Sequence, residues 1–122
     1  MADITLGTSI SINKGLLSES VYVSNVTAAM SQTGFKTTTY TVNSAATTLS
    51  TANLSSVGYA LFRNLSPDTA STISVAAVLG TATISFSTLR PGEPGMLRLS
   101  AGTGYQATGT AGAILRVDIT EG

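Results

Sequence analysis

The sequence predicts an all-β fold, a single-domain antiparallel β-sandwich of about eight strands that spans residues 1–122. Three observations predict it. Apolar residues recur mainly at every second position, the spacing of strands that bury one face. Turn signals rich in Gly, Pro, Asn and Asp separate these segments at intervals of roughly 8–12 residues. Helical periodicity is scarce along the whole chain.

Eight segments carry the strand pattern. They are residues 4–12, 21–23, 35–42, 57–65, 72–79, 82–88, 95–100 and 113–120. In the last of them, alternation predicts that Leu115, Val117 and Ile119 face inward. Arg116 and Asp118 then lie together on the outer face, where we expect them to pair.

The richest segment is 57–65, which we expect to be a central strand. Arg63 shares one face with apolar residues, whereas Ala60 and Phe62 point to the other. The residues on the Arg63 face are Val57, Tyr59, Leu61 and Leu65. Because both faces carry apolar groups, the pattern predicts a strand that is covered on both sides.

Two segments leave alternatives open. Residues 24–32 place Val26, Ala29 and Met30 at helical spacing, which allows a turn or two of helix, but their threonine and valine favour extended chain equally. Residues 43–56 show no periodicity and predict either a long loop or a short edge strand.

The clearest turn is at Pro91-Gly92. Proline fixes φ near −65° and glycine supplies a positive φ, as a type II turn requires. Pro94 has no N–H to donate, so we expect the chain to swing out until Met96 begins the next strand. The segment is either a contact loop or a plain hairpin turn.

The composition argues against catalysis. The chain has no His, Cys or Trp, but 20 Thr and 16 Ser. A nucleophilic serine normally needs a histidine base, and zinc needs Cys or His ligands. The six acidic residues are scattered, which argues against calcium. We therefore expect a protein that is not an enzyme and that uses neither a cofactor nor a metal.

The charge balance limits the partners. Only 10% of residues are charged and the net charge is zero, which argues against nucleic-acid binding. No apolar run is long enough to span a membrane, and the N-terminus lacks the pattern of a signal peptide, so we expect synthesis in the cytoplasm. Weak charge repulsion favours self-association; the alternative is a small domain kept hydrated by its hydroxyl groups.

The arginines are the most informative charged residues. Arg63, Arg98 and Arg116 lie within strand segments, and Arg90 borders the Pro-Gly turn. An unpaired charge is costly to bury, so Arg63 must reach solvent, pair with a carboxylate or meet a partner chain. Arginine and tyrosine are enriched where protein interfaces concentrate binding energy.

The order of the segments from residue 57 to 121 resembles small virion proteins of tailed bacteriophages, including head decoration (cement) proteins. The likeness lies in Val57-Gly-Tyr-Ala-Leu-Phe-Arg-Asn-Leu65, then Leu89-Arg-Pro-Gly-Glu-Pro-Gly-Met-Leu-Arg-Leu99, then Tyr105-Gln-Ala and the strand Ala113-Ile-Leu-Arg-Val-Asp-Ile119. An aromatic-rich strand ends in Asn-Leu, a Pro-Gly-Glu loop precedes a short Leu-Arg-Leu strand, and a last strand closes the chain.

The resemblance implies a jelly-roll-like sandwich that assembles, commonly as a trimer, on the capsid surface of a virion. Its partners would be itself and the major capsid protein. The residues that we expect at the partner interface are Arg63, Arg90, Pro91, Gly92, Glu93 and Arg98. The alternatives are a glycan- or receptor-binding module of a tail or fibre, with tyrosines as its exposed aromatics, and a tail-tube or fibre-joining subunit.

Overall fold

The structure is a computed structural model that describes residues 3–30, 33–52 and 54–122. The described residues form ten strands and no helix, which confirms the all-β prediction. The strands are β1 Ile4–Lys14, β2 Leu17–Ala28, β3 Phe35–Val42, β4 Thr47–Thr48, β5 Val57–Asn64, β6 Ile73–Leu79, β7 Ala82–Leu89, β8 Pro94–Arg98, β9 Gly104–Gly109 and β10 Ala113–Glu121. The chain divides into two compact units, Met1–Ser31 and Gln32–Gly122.

The first unit contains one long antiparallel hairpin, β1–β2, whose strands have 11 and 12 residues. Lys14 pairs with Leu17, which leaves a two-residue turn. Gly15 opens that turn with a φ of 59°, and glycine at this position is typical of hairpin turns that match strand twist. Asp3 closes the other end by accepting a hydrogen bond from the Met30 N–H at 2.9 Å.

A β-bulge interrupts this hairpin. The register shifts between Leu6 and Thr8, so that β2 carries one more residue than β1. Asn25 lies in the bulge with a φ of 59°, the left-handed region that asparagine tolerates better than most residues. Strand therefore continues to Ala28 where the sequence allowed a helical turn; residues 31 and 32 lie outside the described residues.

The second unit contains two four-stranded antiparallel sheets. The first sheet has the order β3-β10-β5-β8 and the second has the order β4-β9-β6-β7. Within these sheets the pairs are nested along the chain: β6 pairs with β7, β5 with β8, β4 with β9, and β3 with β10. Two of these nested pairs, β3–β10 and β5–β8, lie in the first sheet, and the other two, β4–β9 and β6–β7, lie in the second.

The inner faces of the two sheets form one core. Its fully buried members come from both sheets, for example Leu115 and Val117 of β10 and Ile73 and Val75 of β6. The inward prediction for the odd-numbered apolar residues of β10 is therefore confirmed. Among the described residues, no buried side-chain nitrogen or oxygen lacks a hydrogen-bond partner.

Two buried polar residues attach loops to this core. The Asn64 side-chain amide donates to the carbonyls of Ser71 and Leu89, each at 3.0 Å, and its oxygen accepts from the Ser66 N–H. The Glu121 carboxylate accepts from the Ser55 N–H at 2.7 Å and from the Ser56 N–H at 3.1 Å. These bonds hold the ends of strands to the segments that connect them.

The structure corrects three expectations. Segments 4–12 and 21–23 are not sandwich strands, because β1 and β2 pair only with each other. The outer face of β5 is not covered, since Leu61 and Arg63 are exposed. The chain also forms β9, which the sequence analysis missed. Residues 43–56, apart from residue 53, which lies outside the described residues, are mostly loop with the short edge strand β4.

Candidate interaction surface

The outer face of the first sheet gathers most of the arginine of the chain. Along β5 the side chains alternate, so Ala60 and Phe62 enter the core while Tyr59, Leu61 and Arg63 face outward. The register then fixes their neighbours. The cross-strand pairs on this face are Arg63 with Arg116, Leu61 with Asp118, Arg63 with Pro94, Leu61 with Met96 and Tyr59 with Arg98.

We call this surface the arginine face and define it by Tyr59, Leu61, Arg63, Arg98, Arg116 and Asp118. It carries three arginines and one aspartate, a formal charge of +2 on a chain whose net charge is zero. The rest of the chain therefore carries −2. The net charge of zero therefore conceals an uneven distribution, with a positive surface on the first sheet and a net negative charge on the remaining residues.

Arg63 and Arg116 lie directly opposite each other on neighbouring strands. Like charges in this position are destabilising. Asp118 partly offsets the repulsion, because its Oδ2 lies 3.2 Å from the Arg116 Nε in an ion pair. The expected pairing of Arg116 with Asp118 is thus confirmed. Thr37 of β3 orients the carboxylate by donating to its Oδ1 at 2.6 Å.

Arg98 stacks on an aromatic ring at the other end of the face. Its guanidinium carbon lies 5.2 Å from the centroid of the Tyr59 ring, a cation–π contact. The stacking holds the guanidinium against the sheet while leaving it exposed. Arg98 is therefore presented in a fixed position to whatever approaches the face.

A shallow depression of about 210 Å³ lies at the centre of the arginine face, lined by Leu61, Arg63, Arg116 and Asp118. Small-molecule sites usually occupy roughly 300–1,000 Å³ and are concave. A depression of this size suits a single side chain of a protein partner better than a whole ligand.

The Pro91-Gly92 turn borders the same face at the Arg63 end. Gly92 has a φ of 85° and the Glu93 N–H donates to the Arg90 carbonyl at 3.0 Å, which confirms the predicted turn. The loop does not swing out, because the Gly92 N–H donates to the Asn64 carbonyl at 2.7 Å. β8 accordingly begins at Pro94, not at Met96.

The structure brings the predicted contact residues together only in part. Arg63 and Arg98 share the arginine face, one at each end. Arg90 and Glu93 lie in the bordering turn, where the Glu93 carboxylate accepts from the Arg90 N–H at 2.7 Å. That carboxylate closes its own turn, which gives Glu93 a structural role.

The sequence pattern places Arg116 and Asp118 on an outer face but does not single them out as site residues. The missing information was the strand order. Nothing in the sequence indicates that β10 lies beside β5, and this neighbourhood places Arg116 next to Arg63.

Other kinds of site are not found in the part of the chain that the structure describes. Within residues 3–30, 33–52 and 54–122, no group of three or more acidic residues lies close enough to hold a metal ion. The same residues form no helix with the length and hydropathy needed to cross a membrane.

No protein-family model, no curated protein and no solved structure matches this chain.

Proposed function

We propose that this chain is a non-enzymatic structural protein of a virion, a capsid decoration protein that associates with itself, as a trimer, and docks on the major capsid protein. The observation that carries the proposal is the arginine face, an exposed sheet surface that concentrates three arginines beside Tyr59 and Leu61.

The chemistry of this surface fits a protein partner. Arginine and tyrosine dominate the energetically important positions of protein interfaces, and Leu61 adds an exposed apolar centre. The formal charge of +2 calls for an acidic counterpart, which would steer the approach and fix the orientation of the two proteins. The partner surface on the capsomer is therefore acidic.

The repulsion between Arg63 and Arg116 also supports a docking role. Two like charges at one cross-strand pair lower the stability of the free protein. A carboxylate from a partner would sit between them and relieve this repulsion on binding. A sheet with no docking function would gain stability by replacing either arginine with a neutral residue.

The nested strand order supports a jelly-roll assignment for the sandwich. If β3 to β10 are counted as strands one to eight, the sheets read 1-8-3-6 and 2-7-4-5. The jelly roll is a double-sheet architecture of eight strands that viral capsid domains and lectin domains share.

Because lectin domains share this architecture, a second candidate function is a glycan- or receptor-binding module of a tail or fibre. The observation that favours it is the depression on the arginine face, where Asp118 offers acceptors and Arg116 offers donors. Its small volume favours the capsid proposal. A glycan array gives no hits if the capsid proposal is right.

Co-sedimentation with purified capsids that lack the protein tests the proposal. We expect the wild-type chain to bind, with an affinity that falls as salt is raised. Arg63→Thr combined with Arg98→Thr should weaken binding at least about tenfold, since the two arginines anchor the two ends of the expected contact. Arg90→Thr, which removes a positive charge from the bordering turn, should weaken it by no more than about threefold.

Two results would overturn the proposal. One is the absence of binding to capsids at low salt. The other is binding that the double substitution leaves unchanged, which would move the contact away from the arginine face. Thermal unfolding of both variants at a temperature no lower than that of the wild type shows that any loss of binding is not a loss of fold.

A further inference from the structure

The β1–β2 hairpin has two faces of opposite chemistry between its turn and its bulge. The pairs on one face are Thr8 with Val23, Ile10 with Val21, Ile12 with Glu19 and Lys14 with Leu17; those on the other are Ser9 with Tyr22, Ser11 with Ser20 and Asn13 with Ser18. We call the first set the apolar hairpin face and the second the hydroxyl hairpin face. Alternation of this kind is typical of a sheet with one buried side.

The apolar hairpin face is nevertheless exposed. Ile10 is 65% exposed and Val21 is 63% exposed, and Ile12, Leu17 and Val23 are exposed beside them. Single exposed apolar residues are ordinary, but a contiguous row marks an interaction surface. An isolated two-stranded hairpin is at best marginally stable in water, so this pattern needs a covering layer.

We propose that the covering layer is the apolar hairpin face of a second copy of this chain, so that two hairpins pack sheet on sheet. This inference rests on the proposed self-association and adds to it: a two-fold contact joins two copies, so it links copies of neighbouring trimers and not the copies within one trimer. Two-stranded sheets that pack in this way bury their inner residues as a sandwich does.

The charges on the face favour a second copy over a foreign partner. Lys14 and Glu19 are the two charged residues of the apolar hairpin face, and they lie one pair apart near the turn. In a two-fold contact each copy presents the same patch to the other. With the two-fold axis along the hairpin, β1 of one copy lies over β2 of the other.

This arrangement satisfies both kinds of residue. Ile10 then packs on the other copy's Val21, and Lys14 comes within one residue pair of the other copy's Glu19. Each cation comes near an anion of the other copy, and the aliphatic stems of Lys14 and Glu19 cover the other copy's Leu17 and Ile12. The charged pair lies beside the turn, where the long side chains can keep their charged ends in water.

The contact area predicts a weak association. Seven residue pairs along two strands give a face of about 23 Å by 10 Å, or a few hundred Å² for each copy. Stable interfaces need roughly 800 Å² for each partner. The contact is therefore weak in dilute solution and becomes persistent when neighbouring copies are already held side by side, because tethering raises their effective concentration.

Sedimentation equilibrium of the full chain, over a concentration series that reaches the millimolar range, tests the inference. We expect the wild-type chain to associate. Ile10→Asp combined with Val21→Asp should raise the dissociation constant at least about tenfold, since two charges would enter an apolar contact. The matched control is Ser11→Asp combined with Ser20→Asp, which places the same two charges on the next pair of the hydroxyl hairpin face and should leave association unchanged.

A charge exchange separates contact between copies from damage within one hairpin. Lys14→Glu gives the face two negative charges and Glu19→Lys gives it two positive charges, so each variant alone should associate more weakly than the wild type. An equimolar mixture of the two should recover association as a mixed species, because the opposite patches then face each other. Recovery in the mixture also shows that both variants are folded.

Three outcomes would overturn the inference: a wild-type chain that stays monomeric throughout the series, equal losses in the two Asp pairs, or no recovery in the mixture. Failure of the proposed function looks different. A chain that associates through the apolar hairpin face but does not co-sediment with capsids leaves this inference standing and removes the decoration role.

Discussion

The hairpin β1–β2 and the sandwich β3–β10 use the same alternation of apolar and hydroxyl-bearing residues, but only the sandwich buries its apolar residues. Its two sheets supply a covering layer for each other, and residues such as Leu115 and Ile73 are fully buried. None of the described residues 3–30 reaches that degree of burial. Alternation thus dictates strand formation and facing, whereas the presence of a second sheet decides whether a core forms.

The strongest test of this difference in burial is to truncate one apolar residue in each unit and compare the losses of stability. Leu115→Ala should lower the free energy of unfolding by about 2–5 kcal/mol, because it leaves a cavity in a packed core. Ile10→Ala should lower it by less than about 0.5 kcal/mol, as surface substitutions do. Urea denaturation at low protein concentration measures both. Equal losses would show that the hairpin is covered within a single copy.

A buried amide in the sandwich gives the next largest effect. Asn64→Ala should lower the free energy of unfolding by about 2–3 kcal/mol, because the carbonyls of Ser71 and Leu89 lose their donor inside the protein. The control is Asn43→Ala. Asn43 is exposed and accepts one local hydrogen bond from the Ala45 N–H, so we expect a loss of about 0.5 kcal/mol. A similar loss for both asparagines would contradict the anchoring role of Asn64.

The two units contain a matched pair of turns. Gly15 joins β1 to β2 with a φ of 59°, and Gly80 joins β6 to β7 with a φ of 62°. An alanine at such a φ costs about 1–2 kcal/mol. Gly80→Ala should therefore lower the urea midpoint of the sandwich, whereas Gly15→Ala should leave that midpoint unchanged, because its strain falls on the other unit. A shift with Gly15→Ala would mean that the two units unfold together.

The smallest expected effect is on the stability of the protein at low pH. The pKa of Asp68 is lowered from its ordinary value of 3.8 because its carboxylate accepts hydrogen bonds from the Ser71 hydroxyl and from the N–H groups of Ser71 and Ala70. A lowered pKa in the folded state contributes stability that is present above the unfolded pKa and is lost as pH falls through the folded pKa.

Asp68→Asn should remove this contribution. The melting temperatures of wild type and variant should differ slightly at pH 6 and converge as the pH falls below the lowered pKa of Asp68. Asp3 of the first unit, which accepts a hydrogen bond from the Met30 N–H, provides the comparison as Asp3→Asn. A gap between wild type and the Asp68 variant that widens as pH falls would contradict the assignment.

Much of the fold follows from local patterns. The facing of β10 and the alternation along β5 follow from period-two spacing alone. β9 was missed because its central residues, Tyr105 to Thr108, carry little apolar alternation and sit between glycine-rich turns. Its strand conformation depends on hydrogen bonds to β4 and β6 on either side, which are tertiary interactions.

The candidate site was less predictable than the fold. Arg63 and Arg98 could be selected from the sequence because a charged side chain within a strand must reach solvent or find a partner. The apolar groups on both faces of β5 suggested full burial, yet the outward group contains Tyr59 and Leu61, whose exposure depends on whether another layer exists. Strand order, which also decides the neighbours of Arg63, comes from pairing between residues far apart in sequence.

The nested pairing of β3 to β10 predicts an order of folding. β6 and β7 are neighbours in sequence and can pair as soon as both are made. Phe35 of β3, in contrast, pairs with Thr120 of β10, which is made much later. β10 is also the strand that separates β3 from β5 in the first sheet. β3 therefore has no paired strand until β10 has been made, so we expect closure of the first sheet to be a late and slow step, governed by long-range contacts.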